Sequence, residues 1–126
     1  MIVVHLERTA GPHKLFLESR TIGNDLLVSI YGGDEHHIGG VAIAYPTKSH
    51  YRERSIINVN TINLPGHKDY ILANTAAEQI CKALSKPTVV TVGIHIDNAS
   101  AVELDEVVES VDLLVGQFID QYQNAE

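Results

Sequence analysis

Through the first half of the chain, apolar and polar residues alternate with a period of two, the mark of half-buried strands. Ile2, Val4 and Leu6 mark a first strand over Ile2–Arg8, and the Gly-Pro of "GPHK" ends it. Leu15, Leu17 and Ile22 mark a second over Leu15–Ile22, followed by "GND" at Gly23–Asp25, a strong hairpin turn. "LLVSIY" (Leu26–Tyr31) and "GGVAIAYP" (Gly39–Pro46) read as the third and fourth strands. Such short connections predict an antiparallel meander. After the polar loop "PTKSHYRERS", the alternation at Ile57, Val59 and Thr61 predicts a fifth, edge strand over Ser55–Leu64.

The period then changes. In "PGHKDYILANTAAEQICKALSK" Leu72, Ala76, Ile80 and Leu84 recur at i+4, the apolar face of a helix. Pro65-Gly66 stops the strand before it, Asp69 falls in its first turn and Pro87 ends it. "TVVTVGIHID" (Thr88–Asp97) is the most β-prone run, with Thr88, Val90, Val92, Ile94 and Ile96 on one face and Gly93, His95 and Asp97 on the other. A long amphipathic helix follows. Ser100-x-x-Glu103 is a capping-box pattern at its start, and Leu104, Val107, Val108, Val111, Leu114, Val115, Phe118, Ile119 and Tyr122 form its apolar stripe. The expected fold is α+β: one domain over residues 1–126, with a mostly antiparallel sheet of five to six strands packed by two long helices.

Composition narrows the function classes. With 126 residues, 44% hydrophobic and 20% charged, the chain has the balance of a globular domain. A net charge of −7 argues against nucleic acid or an anionic membrane as partner, and no apolar run is long enough to span a bilayer. The N-terminus has no basic region of the signal-peptide kind, and one cysteine, Cys81, forms no internal disulfide; both point to the cytoplasm. Cys81 neighbours the apolar positions Ile80 and Leu84 and reads as packed rather than nucleophilic.

Seven histidines exceed ordinary usage, and three stretches could carry chemistry. In "YGGDEHHIGGVAIAYP" the pairs Gly32-Gly33 and Gly39-Gly40 flank Asp34, Glu35, His36 and His37. Glycines allow close backbone approach to a ligand, or mark a bulge; the bland alternative for the charged residues is a solvated hairpin tip. In "PGHKD", Gly66, His67 and Lys68 precede a helix N-terminus, whose N–H groups and dipole favour phosphate or carboxylate. In "GIHIDN", His95 and Asp97 point the same way from a strand end, where ligands often bind, and Gly93 leaves room there; alternatively Asp97 or Asn98 caps the last helix. His5, His13 and His50 fall in no motif. There is no nucleophile elbow, P-loop, His-Glu-x-x-His or dinucleotide fingerprint, so a binding protein is favoured over an enzyme. His36, His37, His67, His95, Asp34 and Asp97 keep a metal-binding reading open, and a purely structural partner role is a third alternative.

"GGDEHHIGGVAIA", "PGHKDYILA" and "VTVGIHIDNAS", in that order, resemble the small LpdD-like proteins, described as prenylated-flavin chaperone-like. The resemblance implies a non-catalytic accessory protein that binds prenylated FMN, or FMN itself. It would support the large subunit of a UbiD-type hydroxyarylate (gallate-like) decarboxylase in tannin or phenolic acid degradation, with the cofactor made by a UbiX-type flavin prenyltransferase. The candidate ligand-binding residues remain those of the physical reading: Gly32, Gly33, His37, Gly39, Gly40, Gly66, His67, Lys68, His95, Asp97 and Asn98. Uncovered sheet edges point to a homodimer.

Overall fold

The computed structural model describes residues 2–48, 55–65 and 68–125. The elements run β1 (Val3–Ala10), β2 (His13–Ile22), β3 (Asp25–Gly33), β4 (Glu35–Lys48), β5 (Ser55–Asn63), α1 (Tyr70–Leu84), β6 (Thr88–His95) and α2 (Ala101–Ala125). Among the described residues the strands form one sheet in the order β1-β2-β3-β6-β4-β5. The expected α+β architecture holds, and β5 is an edge.

The meander does not hold throughout. β1, β2 and β3 pair consecutively and antiparallel, but β6 inserts between β3 and β4, parallel to the first and antiparallel to the second. The short β3–β4 connection is therefore no hairpin. It steps across the end of β6: Gly33 and Glu35 both register with His95, and Asp34 N–H donates to the His95 carbonyl at 2.6 Å. Gly33 makes this step possible. Its φ is +79°, and a Cβ there would overlap the His95 carbonyl oxygen. The interior position went to the most β-prone run, whose β-branched residues suit a strand bonded on both sides and covered by helices. Thr88, Val90 and Val92 are fully buried.

Both helices contact the sheet through the face that carries Val4, Leu15, Leu17, Val28, Ile30, Ala42, Ala44, Val90 and Val92. α1 lies over β4, β5 and β6, while α2 covers β1 and β2 and packs against α1. The buried centre of α1 is Ala73, Ala76, Ala77, Ile80 and Cys81, with Leu72 and Leu84 only partly buried. Small residues meet small residues here: Gly40, Ala42 and Ala44 let the helix backbone come close, and a Cβ on Gly40 would sit 2.6 Å from Tyr70 Cα. Cys81 is packed as expected, and burial raises its thiol pKa. Most of the α2 stripe is buried, but Leu104 and Val108 are 53% and 46% exposed, because they border an open cavity. The capping box forms reciprocally: Ser100 N–H donates to Glu103 Oε1 at 3.2 Å, and Glu103 N–H donates to Ser100 Oγ at 3.1 Å.

Candidate functional site

The cavity of about 390 Å³ opens where the start of α1, the end of β6 and the first turns of α2 meet. Ile71, Leu72, Ile94, Ile96, Leu104, Val107 and Val108 give it apolar walls, and Lys68, Asp69 and His95 supply the polar groups. An apolar cleft with a few placed polar groups is the usual form of a small-molecule site.

Two of the three predicted stretches therefore reach one place. Lys68 is exposed at the approach to α1, and His95 ends β6. Gly66 and His67 lie outside the described residues, as do His50 and residues 51–54 of the polar loop. The third stretch stands behind the cavity rather than lining it. Pairing of β4 with β6 breaks between His36 and Gly40, and the chain bulges there over Gly93. The room expected at Gly93 is filled by this bulge: a Cβ on Gly93 would overlap the His37 carbonyl oxygen. The His37 ring nitrogens are buried, and the ring packs edge-on to His95 with centroids 6.2 Å apart. Gly32 packs on Lys14 and Leu15 of β2, and Gly39 faces the Asp69 carboxylate and the His37 ring. At these glycines the side-chain space is taken by the protein itself.

By its sequence position, Asp69 is predicted to lie in the first turn of α1. It occupies the cap position instead, but its side chain makes no capping hydrogen bond. The carboxylate turns toward the sheet, where Oδ1 accepts from Ile94 N–H at 3.3 Å, and the residue is only 8% exposed. Asp69 thus leaves the first N–H groups of α1, beside the cavity, without a cap from its own side chain.

His95 and Asp97 pair as their spacing suggested, Nε2 to Oδ1 at 2.8 Å. That hydrogen bond raises the His95 pKa, and the charges of Asp97, Glu35 and Asp34 add to it against a smaller desolvation effect. A pKa raised on folding favours the charged form. The pairing contributes fully below the ordinary histidine range and is lost as pH rises through the folded value. In an NMR titration His95 should titrate above pH 6.5, and Asp97→Asn should bring its midpoint back down. A midpoint indifferent to that substitution would mean the pair does not persist in solution.

Sequence reasoning passed over a second layer of contacts. His13, read as belonging to no motif, is 13% exposed, bonds Glu103 at 3.0 Å and lies 3.8 Å from Asp34. Asp34 Oδ2 in turn accepts from Asp97 N–H at 2.8 Å. This chain ties the β3–β4 step and the end of β6 to the start of α2, and the hydrogen bond from His13 holds the Glu103 carboxyl below the usual range. Asn98 has φ +53°, the left-handed turn that leads from β6 into α2. Among the described residues, no three His, Cys, Asp or Glu side chains are arranged to hold a metal ion.

The sequence profile of the prenylated flavin chaperone LpdD-like domain matches residues 9–123. The chain belongs to that family. No curated protein is significantly similar to it in sequence. Among solved structures it resembles a chain from a chaperone complex for yeast 20S proteasome assembly, at 17% identity and a TM-score of 0.51 over 98% of both chains. At that identity the likeness is one of fold alone. No helix among the described residues of this LpdD-like chain is long and apolar enough to cross a membrane.

Proposed function

We propose that this LpdD-like protein is a non-catalytic accessory protein that binds prenylated FMN in the cavity between α1, β6 and α2. The observation that carries the reading is that apolar cavity in a chain of this family, with Lys68 and Asp69 at the start of α1 and His95 at the end of β6 as its polar groups. At about 390 Å³ it lies near the lower end for small-molecule sites, so it suits a flat ring with its prenyl-derived part rather than a whole flavin nucleotide. The ribityl phosphate then extends toward Lys68 at the start of α1, while His95, held by Asp97, faces the ring; Gly66 and His67, the other phosphate candidates by sequence, lie outside the described residues. His37, Gly39 and Gly40 shape this end of the sheet, and Gly32, Gly33 and Asn98 hold the turns behind it. The protein would act as one domain over residues 1–126, in the cytoplasm, as a homodimer whose contact covers a sheet edge. Its partner would be a UbiD-type hydroxyarylate decarboxylase of the gallate-decarboxylating kind, in tannin or phenolic acid breakdown, supplied with cofactor by a UbiX-type prenyltransferase.

Titration of the purified protein with prenylated FMN and with FMN tests the reading. Binding at micromolar concentration is expected, and no binding to either would sink it. The phosphate placement has its own test. Lys68→Ala should weaken FMN by about 1–3 kcal/mol, the range for hydrogen bonds to charged groups. Riboflavin, which lacks the phosphate, should be nearly unaffected. Equal losses for both ligands would mean that Lys68 does not read the phosphate.

A further inference from the structure

The two sheet edges differ in a way that bears on self-association. β1 carries His5, Glu7 and Arg8, charges of the kind that discourage strand addition. β5, SIINVNTIN, has nine residues, no proline, and is the one strand among the described residues without an ionisable side chain. In a chain of net charge −7, it is a strand along which a second copy can approach without meeting a fixed like charge.

Its sequence is also nearly palindromic about Val59. Asn58 mirrors Asn60, Ile56 mirrors Ile62, and the β-branched Ile57 mirrors the β-branched Thr61. The backbone agrees with that centre. Leu64 N–H donates to the Gly39 carbonyl across the β4–β5 seam at 3.0 Å, in the same register as the rest of the pair. Strand alternation then turns the N–H and C=O groups of Ile57, Val59 and Thr61 away from β4. Ile56 and Ile62 stand 44% and 66% exposed at the two ends.

We propose that β5 pairs antiparallel with β5 of a second copy about a twofold axis at Val59, joining two sheets into one. Val59 exchanges both backbone hydrogen bonds with its counterpart, Ile56 lies against the copy's Ile62, and Asn58 lies against the copy's Asn60. An isologous contact requires only that residue i meet residue j and j meet i; because this strand mirrors itself, the residues so paired are also alike, a match that an unrelated partner strand would not have. The inference rests on the homodimer proposed above and names its surface.

The register gives a sharp test. Asn58 and the copy's Asn60 form a non-hydrogen-bonded pair with Cα atoms about 4.5 Å apart, within disulfide reach. Asn58 and the copy's Asn58 are about 8 Å apart, beyond it. Full-length Asn58→Cys and Asn60→Cys chains, mixed and mildly oxidised, should give a linked dimer, while either variant alone should give almost none; Cys81 is buried and does not compete. Light scattering on the unmodified protein is run in parallel. A dimer whose cross-linking ignores the pairing of variants overturns the β5 interface while leaving self-association in place. A monomer at all concentrations overturns both, and flavin titration reads the ligand proposal independently of either.

Discussion

Gly93→Ala should destabilise the protein by about 3 kcal/mol or more, or prevent folding. The added methyl group would overlap the His37 carbonyl oxygen and carbon, and the next atom in its way is Ile38 N, at 3.0 Å. These are backbone atoms of a bulge held between two paired stretches of β4, so no side chain can rotate aside. Relief would need β4 to leave β6, with loss of ladder bonds at the centre of the sheet. Against a typical stability of about 5–15 kcal/mol that is a large share. Gly116→Ala is the control. Gly116 is exposed in the interior of α2 with nothing within 4 Å of a Cβ, and alanine there should add about 0.5–1 kcal/mol. Urea denaturation of the two variants should move in opposite directions. A Gly93→Ala cost below about 1 kcal/mol would show that the bulge gives way.

Val108→Trp should reduce affinity for prenylated FMN at least tenfold, about 1.4 kcal/mol, while the protein stays folded. Val108 lies on the cavity side of α2 and is 46% exposed, so a larger side chain grows into the cavity rather than into the core. An indole there takes up much of the space proposed for the flavin ring. Leu113→Trp is the matched control: Leu113 is 44% exposed on the same helix and lines a different, shallow depression beside β1. It should leave affinity unchanged. Equal affinity of the Val108 variant and the parent would place the ligand elsewhere on the molecule.

Both predictions rest on features that the sequence marks only in part. Gly93 stands out in an apolar run, and a glycine in a strand signals close approach, but not by what. The approaching group is the backbone of His37, 56 positions earlier in the chain. Leu104 and Val108 satisfy the helical period as well as Val107 and Val111 do, yet only the latter pair is buried. Periodicity says which residues share a face; it does not say where the neighbouring element stops and a cavity begins. His13 and Asp69 were legible as residue types, but their partners Glu103 and Ile94 lie 90 and 25 positions away.

Local chemistry by itself determined the elements of this protein: the period-two strands, the period-3.6 helices, the Gly-Pro and Gly-Asn turns, the Ser100–Glu103 capping box and the close pairing of His95 with Asp97. Each is set by interactions within a few residues, which short stretches of sequence encode directly. Only the tertiary structure decided the order of the strands. The short stretch between Tyr31 and Gly39 reads as a hairpin turn in any local window, and locally nothing opposes that reading. β6 takes the place between β3 and β4 because this β-branched, most β-prone strand is well suited to pairing on both sides beneath the helices, and because Gly33 and Gly93 let the backbone cross and bulge around it. That choice brings the end of β6 to the starts of both helices, and so makes the cavity.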